Sequence, residues 1–389
     1  MKKLCKILIS IFAVVSLCSC SEATTMIGNI MENENYVKWE SISAEPTGNG
    51  SRYKNYFEKL GDDQKKGYNS ILKSIYESED SFPERVEVPY MSADDLSAVF
   101  EAVVYDNPDI ICYGRDCSIV TDGKRCYFEP KYTMSFNEFK QKREYMESLA
   151  DEIIAQMNTS YSEFDRELFI HDYIVKNCRY DRDGDFNNLT YSCIADNFAS
   201  CEGYAKATKY LLEKAGIECY TIVGDATDSG REPESHMWNL VNIGGSYYYL
   251  DTTWDDPNTS GGEVSHMYFN LSEQEIRTDH SNFTVYFECT DDQYNYFNAT
   301  DSVFETYKWK DYERIVALLG SEAKKGNEFI ELKFTNEDAY SSALYDLAKK
   351  GRAYTLAKTV NFRYGTKLEA NDISYSQEEG FFIFSLMFK

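Results

Sequence analysis

The chain has 389 residues, with 40 Lys and Arg against 65 Asp and Glu, a formal net charge of −25 at pH 7. That balance argues against nucleic acid or an anionic membrane surface as a partner. The length allows two or three domains with sizeable cores, and 32 tyrosines suit half-buried strand and groove surfaces.

Residues 1–19 read as an export signal. Lys2, Lys3 and Lys6 make a positive start, and Ile7 to Leu17 is an apolar run. It is shorter than the ~20 apolar residues that span a bilayer. Leu17-Cys18-Ser19-Cys20 resembles a bacterial lipobox. The resemblance implies cleavage before Cys20, lipidation of its sulfur, and a mature chain held on a bacterial membrane and facing outside the cytoplasm. An ordinary secretory signal with an incidental cysteine is the alternative. Cleavage removes three lysines and takes the net charge to about −28, so attachment is expected from lipid rather than from a basic patch.

Residues 20–50 are polar, carry Pro46, Gly48 and Gly50, and read as a tether. A first folded unit is expected over 51–158. Helical spacing runs through 53–80 and again through Ala93–Val104, stopping before Asn107-Pro108. Cys117 and Cys126 flank an Asp122-Gly123 turn. A two-residue loop there sets Ile119 opposite Cys126 and Cys117 opposite Phe128, which makes the two cysteines diagonal neighbours on the wide side for a disulfide, and both are expected reduced. A long helix follows over about Ser135–Met157.

A second unit is expected over 159–295. Its first helix, Asp165–Asn177, turns Phe169, Ile170, Tyr173 and Ile174 inward. Asp181 to Asp185 lacks the glycine and glutamate of a calcium loop and reads as a solvated turn. Cys201 opens a helix with Ser200 at the N-cap and Gly216 just past its end. Glu218–Val223 is a strand, and His236–Ile243 with Tyr247–Asp251 forms a hairpin through Gly244-Gly245. Residues 300–389 read as a small α+β unit: a helix at Tyr312–Leu319, a strand at Phe329–Phe334, a helix at Asp338–Lys349 and a strand at Gly380–Phe388.

Chemistry concentrates at three residues. A thiol nucleophile needs a sulfur, a base and a group that orients the base. Cys201 stands at a helix start, where the macrodipole favours a thiolate over a thiol. Glu202 opposes this if it points at the sulfur. With Gly244-Gly245 as a two-residue loop, His236 faces Thr253 and Asp251 faces Trp238. His236 and Asp251 then lie on one hairpin face as diagonal neighbours, within reach of a hydrogen bond. A three-residue loop would separate them. His171 reads as surface or structural, and His266 and His280 fall in loop-rich sequence. Cys193 is the rival nucleophile. No CxxC pair occurs, so no zinc site is indicated, and neither metal nor cofactor is expected.

Cys201-Glu-Gly-Tyr-Ala, His236-Met-Trp-Asn-Leu-Val and Tyr249-Leu-Asp251-Thr-Thr-Trp-Asp-Asp-Pro257 together resemble the transglutaminase-like superfamily of papain-type thiol enzymes. Ile170-His-Asp-Tyr-Ile174, Cys178-Arg-Tyr-Asp181, Tyr268-Phe-Asn-Leu271 and Asp279-His280 resemble its bacterial members. The resemblance covers roughly 160–290. It implies an α+β fold with a papain-like core, Cys201 as nucleophile, His236 as general base then acid, and Asp251 as orienting acceptor. Phe198-Ala199-Ser200 departs from the family, which often has glycine just before the cysteine. The Cys201 N–H is the expected oxyanion donor, with Tyr191 or Asn197 as side-chain candidates. Protein or peptide amides at the cell surface are the implied substrates, with hydrolysis preferred. Protein cross-linking by acyl transfer to an amine and a non-catalytic surface binding module are the alternatives.

Overall fold

The computed structural model describes residues 39–121, 125–227, 231–256 and 264–388. The expected signal, Cys20 and most of the tether lie outside them. The chain divides into two compact units, one running to Leu240 and taking back His280–Tyr286, the other comprising Val241–Asp279 and Phe287 onward.

In the first unit the helical spacing of 53–80 becomes two helices, α1 (Asn55–Lys59) and α2 (Asp62–Tyr76). The break falls at Gly61, whose N–H donates to Gln64 Oε1 at 2.9 Å. Helix α3 (Ala93–Asp106) begins on a capping box of Ser92 and Asp95 and ends before Pro108, as proline requires. Strands β1 (Val86–Val88), β2 (Tyr113–Thr121) and β3 (Cys126–Tyr132) form a sheet in the order β1-β3-β2. Its register corrects the expected one: Ile119 pairs with Phe128 and Cys117 with Pro130. Thr121 pairs with Cys126, so four residues rather than two separate the paired ends. This moves Cys117 and Cys126 further apart along the hairpin, and both are free thiols.

The end of the expected tether is held down. Asn69 Nδ2 donates to the carbonyls of Ser43 and Glu45, each at 2.8 Å. Lys54 Nζ donates to those of Thr47 and Asn49. Asp106, fully buried at the end of α3, accepts the amides of Tyr56 and Phe57 at the start of α1 and the Tyr68 hydroxyl. Burial raises its carboxyl to about 7, against the opposing pull of Lys209 and these hydrogen bonds. The sign follows from proton counting. Between pH 4 and 7 the unfolded chain has released this proton and the folded chain retains it, so stability falls as pH rises. The contribution is on the order of 4 kcal/mol, fully present below about pH 4 and gone above about pH 7. Asp106→Asn is expected to flatten the urea-midpoint profile over this range. An unchanged profile would assign the pH dependence to other groups.

Helix α4 (Phe136–Ile154) starts at its Ser135 cap. Helix α5 (Glu163–Asn177) buries Glu167, Ile170, His171 and Ile174, at i, i+3, i+4 and i+7. His171 is therefore a deep residue, its Nδ1 3.1 Å from Asp172 Oδ1, while Phe169 and Tyr173 are only half-buried and stack on each other. A short parallel pair, β4 (Arg179–Tyr180) with β5 (Phe198–Ala199), leads into α6 (Cys201–Lys214). Gly216 closes α6 at φ +80, with Gly216 N–H on Glu213 O and Ile217 N–H on Leu212 O. Strand β6 (Glu218–Ala226) then lies between β7 (Glu234–Ile243) and β9 (His280–Ser281).

The second unit opens on the end of β7. A two-residue turn with Gly244 at φ +62 and Gly245 at φ +90 leads into β8 (Ser246–Leu250). Short helices α7 (Glu273–Ile276) and α8 (Tyr296–Ala299) follow. The remaining residues build β10 (Val303–Phe304), α9 (Trp309–Lys325), β11 (Phe329–Phe334), α10 (Glu337–Leu344), a π-helical turn at Tyr345–Lys349, α11 (Arg352–Tyr364), β12 (Ile373–Glu378) and β13 (Ile383–Phe388). The sheet order is β10-β11-β13-β12. Ile315, Leu319, Leu332, Leu356, Val360 and Phe384 are at the centre of its core. The final strand starts later than expected because Glu379–Phe381 form a 3-10 turn and Phe382 takes φ +52. No helix among the described residues is long and apolar enough to cross a membrane.

Candidate active site

Cys201 is the first residue of α6 and is half-exposed. The other seven described cysteines, Cys193 included, are buried. Burial pushes the thiols of Cys112 and Cys219 far up, and that of Cys289 to about 12. Ser200 has the extended backbone of an N-cap, but its hydroxyl does not cap the helix. It donates to Asn187 O at 3.3 Å, and the Ser200 amide donates to the same carbonyl at 2.8 Å. The loop before the nucleophile is thereby tied to residues 187–190. A Cβ on Gly203 would sit 2.5 Å from Asn187 O and 2.7 Å from Ala199 Cβ, so only glycine lets this loop close on α6.

Glu202 is turned away from the dipole conflict expected of it. Its carboxylate accepts Lys206 Nζ at 2.5 Å, one helical turn on, and Asn188 Nδ2 at 3.2 Å. Lys206 is almost fully buried, so the pair supplies each charge with its counter-charge.

His236 is the first buried residue of β7. Its ring lies near-parallel to Trp238, with centroids 5.9 Å apart, and 5.5 Å from the ring of His280. The edge of His280 meets Trp238 at 4.8 Å. His280 is a buried strand residue, its short strand paired to Asp225 and Ala226 of β6, rather than a loop histidine. Sequence reading missed it because two residues are too few for any strand periodicity. The His236-x-Trp238 alternation on one strand face was the legible part.

In the second unit Asp251 follows β8 directly and is fully buried. Its Oδ1 accepts the amides of Thr253 at 2.9 Å and Trp254 at 3.2 Å, and its own amide donates to Tyr268 O. These bonds fix the carboxylate orientation before any partner is considered. His266 is also buried here, with Nδ1 2.6 Å from Glu331 Oε2 and its ring stacked on Tyr296.

Of the oxyanion candidates, Tyr191 immediately precedes a π-helical turn at Ser192–Asp196, and Lys142 Nζ lies 5.1 Å from its ring centroid. Asn197 ends that turn at φ +59, exposed, with its carbonyl accepting the Arg179 amide. Asp181–Asp185 is an Asx turn, in which Asp181 Oδ1 accepts the amides of Asp183 and Gly184.

Residues 147–252 match the transglutaminase-like superfamily. The chain carries a transglutaminase-like domain. The match spans Cys201, His236 and Asp251. No curated protein matches the chain. Among solved structures, similarity extends to a protein described as a cysteine protease from Cytophaga hutchinsonii, 21% identical over 28% of this chain and 37% of that one, with a TM-score of 0.24. A TGase is 12% identical over 46% of this chain and 52% of its own, with a TM-score of 0.27. A protein described as a protease from Parabacteroides distasonis is 12% identical over 34% and 29%, with a TM-score of 0.19. The chain therefore spans about half or less of each of these structures. The transglutaminase-like domain is the part of the α+β fold that holds all three residues.

Proposed function

We propose that this chain is a cell-surface thiol enzyme acting on protein or peptide amides, with Cys201 as nucleophile, His236 as general base then acid, and Asp251 as the acceptor that orients His236. The observation that carries this reading is the single half-exposed cysteine at the start of α6 while every other described cysteine is buried. Two features support the partners. His236 is buried against Trp238, as an oriented imidazole needs to be. The two-residue glycine turn has the length that keeps the parity of His236 and Asp251 on one hairpin face.

In this mechanism the Cys201 thiolate attacks the amide carbonyl and its negative charge develops at the start of α6, where the Cys201 N–H is the proposed oxyanion donor. Tyr191 and Asn197 are the proposed side-chain contributors. The imidazolium of His236 returns the proton to the leaving amine, which departs and leaves a thioester on Cys201. His236 then deprotonates water, and hydrolysis frees the acid. A lysine amine in place of water would give an isopeptide cross-link. Hydrolysis is favoured because it requires no dedicated amine site. Export and lipidation at Cys20 are part of the same proposal.

The test is limiting iodoacetamide at pH 7 on the chain from Ser21 onward, with the labelled cysteine mapped and His236→Ala alongside. Fast labelling at Cys201 that collapses in His236→Ala is the expected result. Labelling of Cys201 no faster than Cys193 or Cys219, and indifferent to His236, would replace the enzyme with a binding module on the same scaffold.

A further inference from the structure

The second unit carries a basic, aromatic face in an otherwise acidic chain. Residues 345–367 hold six Lys and Arg against the single Asp346, a net charge of +5 for the stretch where the whole chain has −25, with Arg363 paired to Glu313 of α9. Asp346 is taken by Arg352 at 3.0 Å and by the Tyr307 hydroxyl. Three lysines of this stretch lie over tyrosine rings and form no close ion pair among the described residues, although Lys350 adds its charge to the pull on Asp346. Lys349 sits 5.7 Å from the Tyr375 ring, Lys350 4.9 Å from Tyr345, and Lys358 4.1 Å from Tyr354.

The aromatic rings are turned outward. Tyr345 is 58% exposed and Trp309 is 64% exposed, while Phe362 at 91% is the most exposed large hydrophobic residue among those described. Contacts join them into one surface. Trp309 stacks on Tyr312, the Arg352 guanidinium lies over that same Tyr312, and Lys349 reaches across to the hydroxyl of Tyr375 on the edge strand β12. Tyr354, Lys358 and Phe362 continue it along α11 at i, i+4 and i+8.

Contacts within the unit hold one side of these side chains and leave Trp309, Tyr345 and Phe362 largely exposed. The lysines offer ammonium groups and the rings offer amphipathic or apolar bodies that protrude. Trp, Tyr and Phe beside exposed Lys is the chemistry of a headgroup boundary, where rings enter the interface and ammonium groups meet phosphate. We propose that this face docks onto an anionic lipid surface. The net charge of −25 does not prevent it, because charges beyond about 8 Å are largely screened at physiological ionic strength. The proposal is independent of Cys201 and of lipidation at Cys20.

The test uses the full chain from Ser21, without its acyl group, and sedimentation with vesicles of phosphatidylcholine alone or mixed equally with phosphatidylglycerol. Binding is expected only to the mixed vesicles and is expected to weaken as salt rises. Lys349→Glu/Lys350→Glu/Lys358→Glu is expected to lower it by about a hundredfold or more. Phe362→Ser with Trp309→Ser is expected to weaken binding without altering its salt dependence. All five positions are at the surface, and unchanged thermal melting verifies that the variants fold. No binding to the mixed vesicles overturns the proposal, as does binding indifferent to the lysine variant. Retention by soluble alginate together with indifference to the aromatic variant also overturns it, leaving a site for acidic polysaccharide.

Discussion

A Cys201→Ala chain is expected to lose about 10⁶-fold in kcat on any amide substrate that the intact chain turns over, with no loss of fold. The side chain is small and half-exposed, and it opens α6 rather than filling a core, so its removal leaves no large cavity. His236→Ala is expected to match it, since a thiol without its base and a base without its thiol are equally idle. Asp251→Asn separates orientation from charge. Asparagine retains an oxygen to accept the Thr253 and Trp254 amides, so the turn after β8 survives, but the negative charge that stabilises an imidazolium is gone. A fall of about 10⁴-fold in kcat is expected. The double variant His236→Ala/Asp251→Asn is expected to be no slower than His236→Ala alone, because residues acting as a unit are not additive. Full activity in Asp251→Asn would reduce the proposed triad to a dyad. Turnover surviving Cys201→Ala would remove the thiol mechanism altogether.

The hairpin and helix that carry these residues were legible because their punctuation is chemical. Ser200 before Cys201, Gly216 after Lys214, and Gly244-Gly245 each demand a backbone conformation that the structure contains. What escaped lacked such marks. Helix α11 buries Ala353, Leu356, Ala357 and Val360, and two alanines among four apolar positions make a faint stripe. Strand β12 has one apolar residue near its start and is exposed along its length, as an edge strand is, so alternation had nothing to report. The π-helical turn before Cys201 has no sequence signature, and it decides where Tyr191 and Asn197 stand. The hairpin at Cys117 was placed two residues out of register, because Asp-Gly named a turn but not its length. Long-range polar contacts were invisible for the same reason: no local pattern announces a lysine that is fully buried.

Lys209 is that lysine, and Lys209→Met is expected to cost about 3–5 kcal/mol of stability. Its side chain is wholly buried in α6, two turns beyond Cys201. The ammonium meets Glu213 at 2.6 Å, the carbonyls of Tyr53 and Cys219 at 2.7 and 2.8 Å, and the Ser51 hydroxyl at 3.1 Å. Ser51 in turn donates to Glu213 at 2.6 Å. This charge therefore joins three stretches distant in sequence: the segment around Ser51 and Tyr53, the helix of the nucleophile, and the start of β6. Methionine fills the volume but leaves a nearly buried carboxylate without its cation and two carbonyls without donors. The penalty comes from the orphaned groups rather than from the lost pair. Lys209→Met/Glu213→Gln is accordingly expected to recover part of it, the opposite of additive losses. The measurement is the urea midpoint at constant slope, with trypsin cleavage at Arg52 as a local readout. A single-variant loss below about 1 kcal/mol would mean that water reaches the ammonium and that the pair behaves as a surface one. A loss of the expected size, with cleavage at Arg52 accelerated, would mean that the segment before α1 is fastened to the nucleophile's helix by one buried charge.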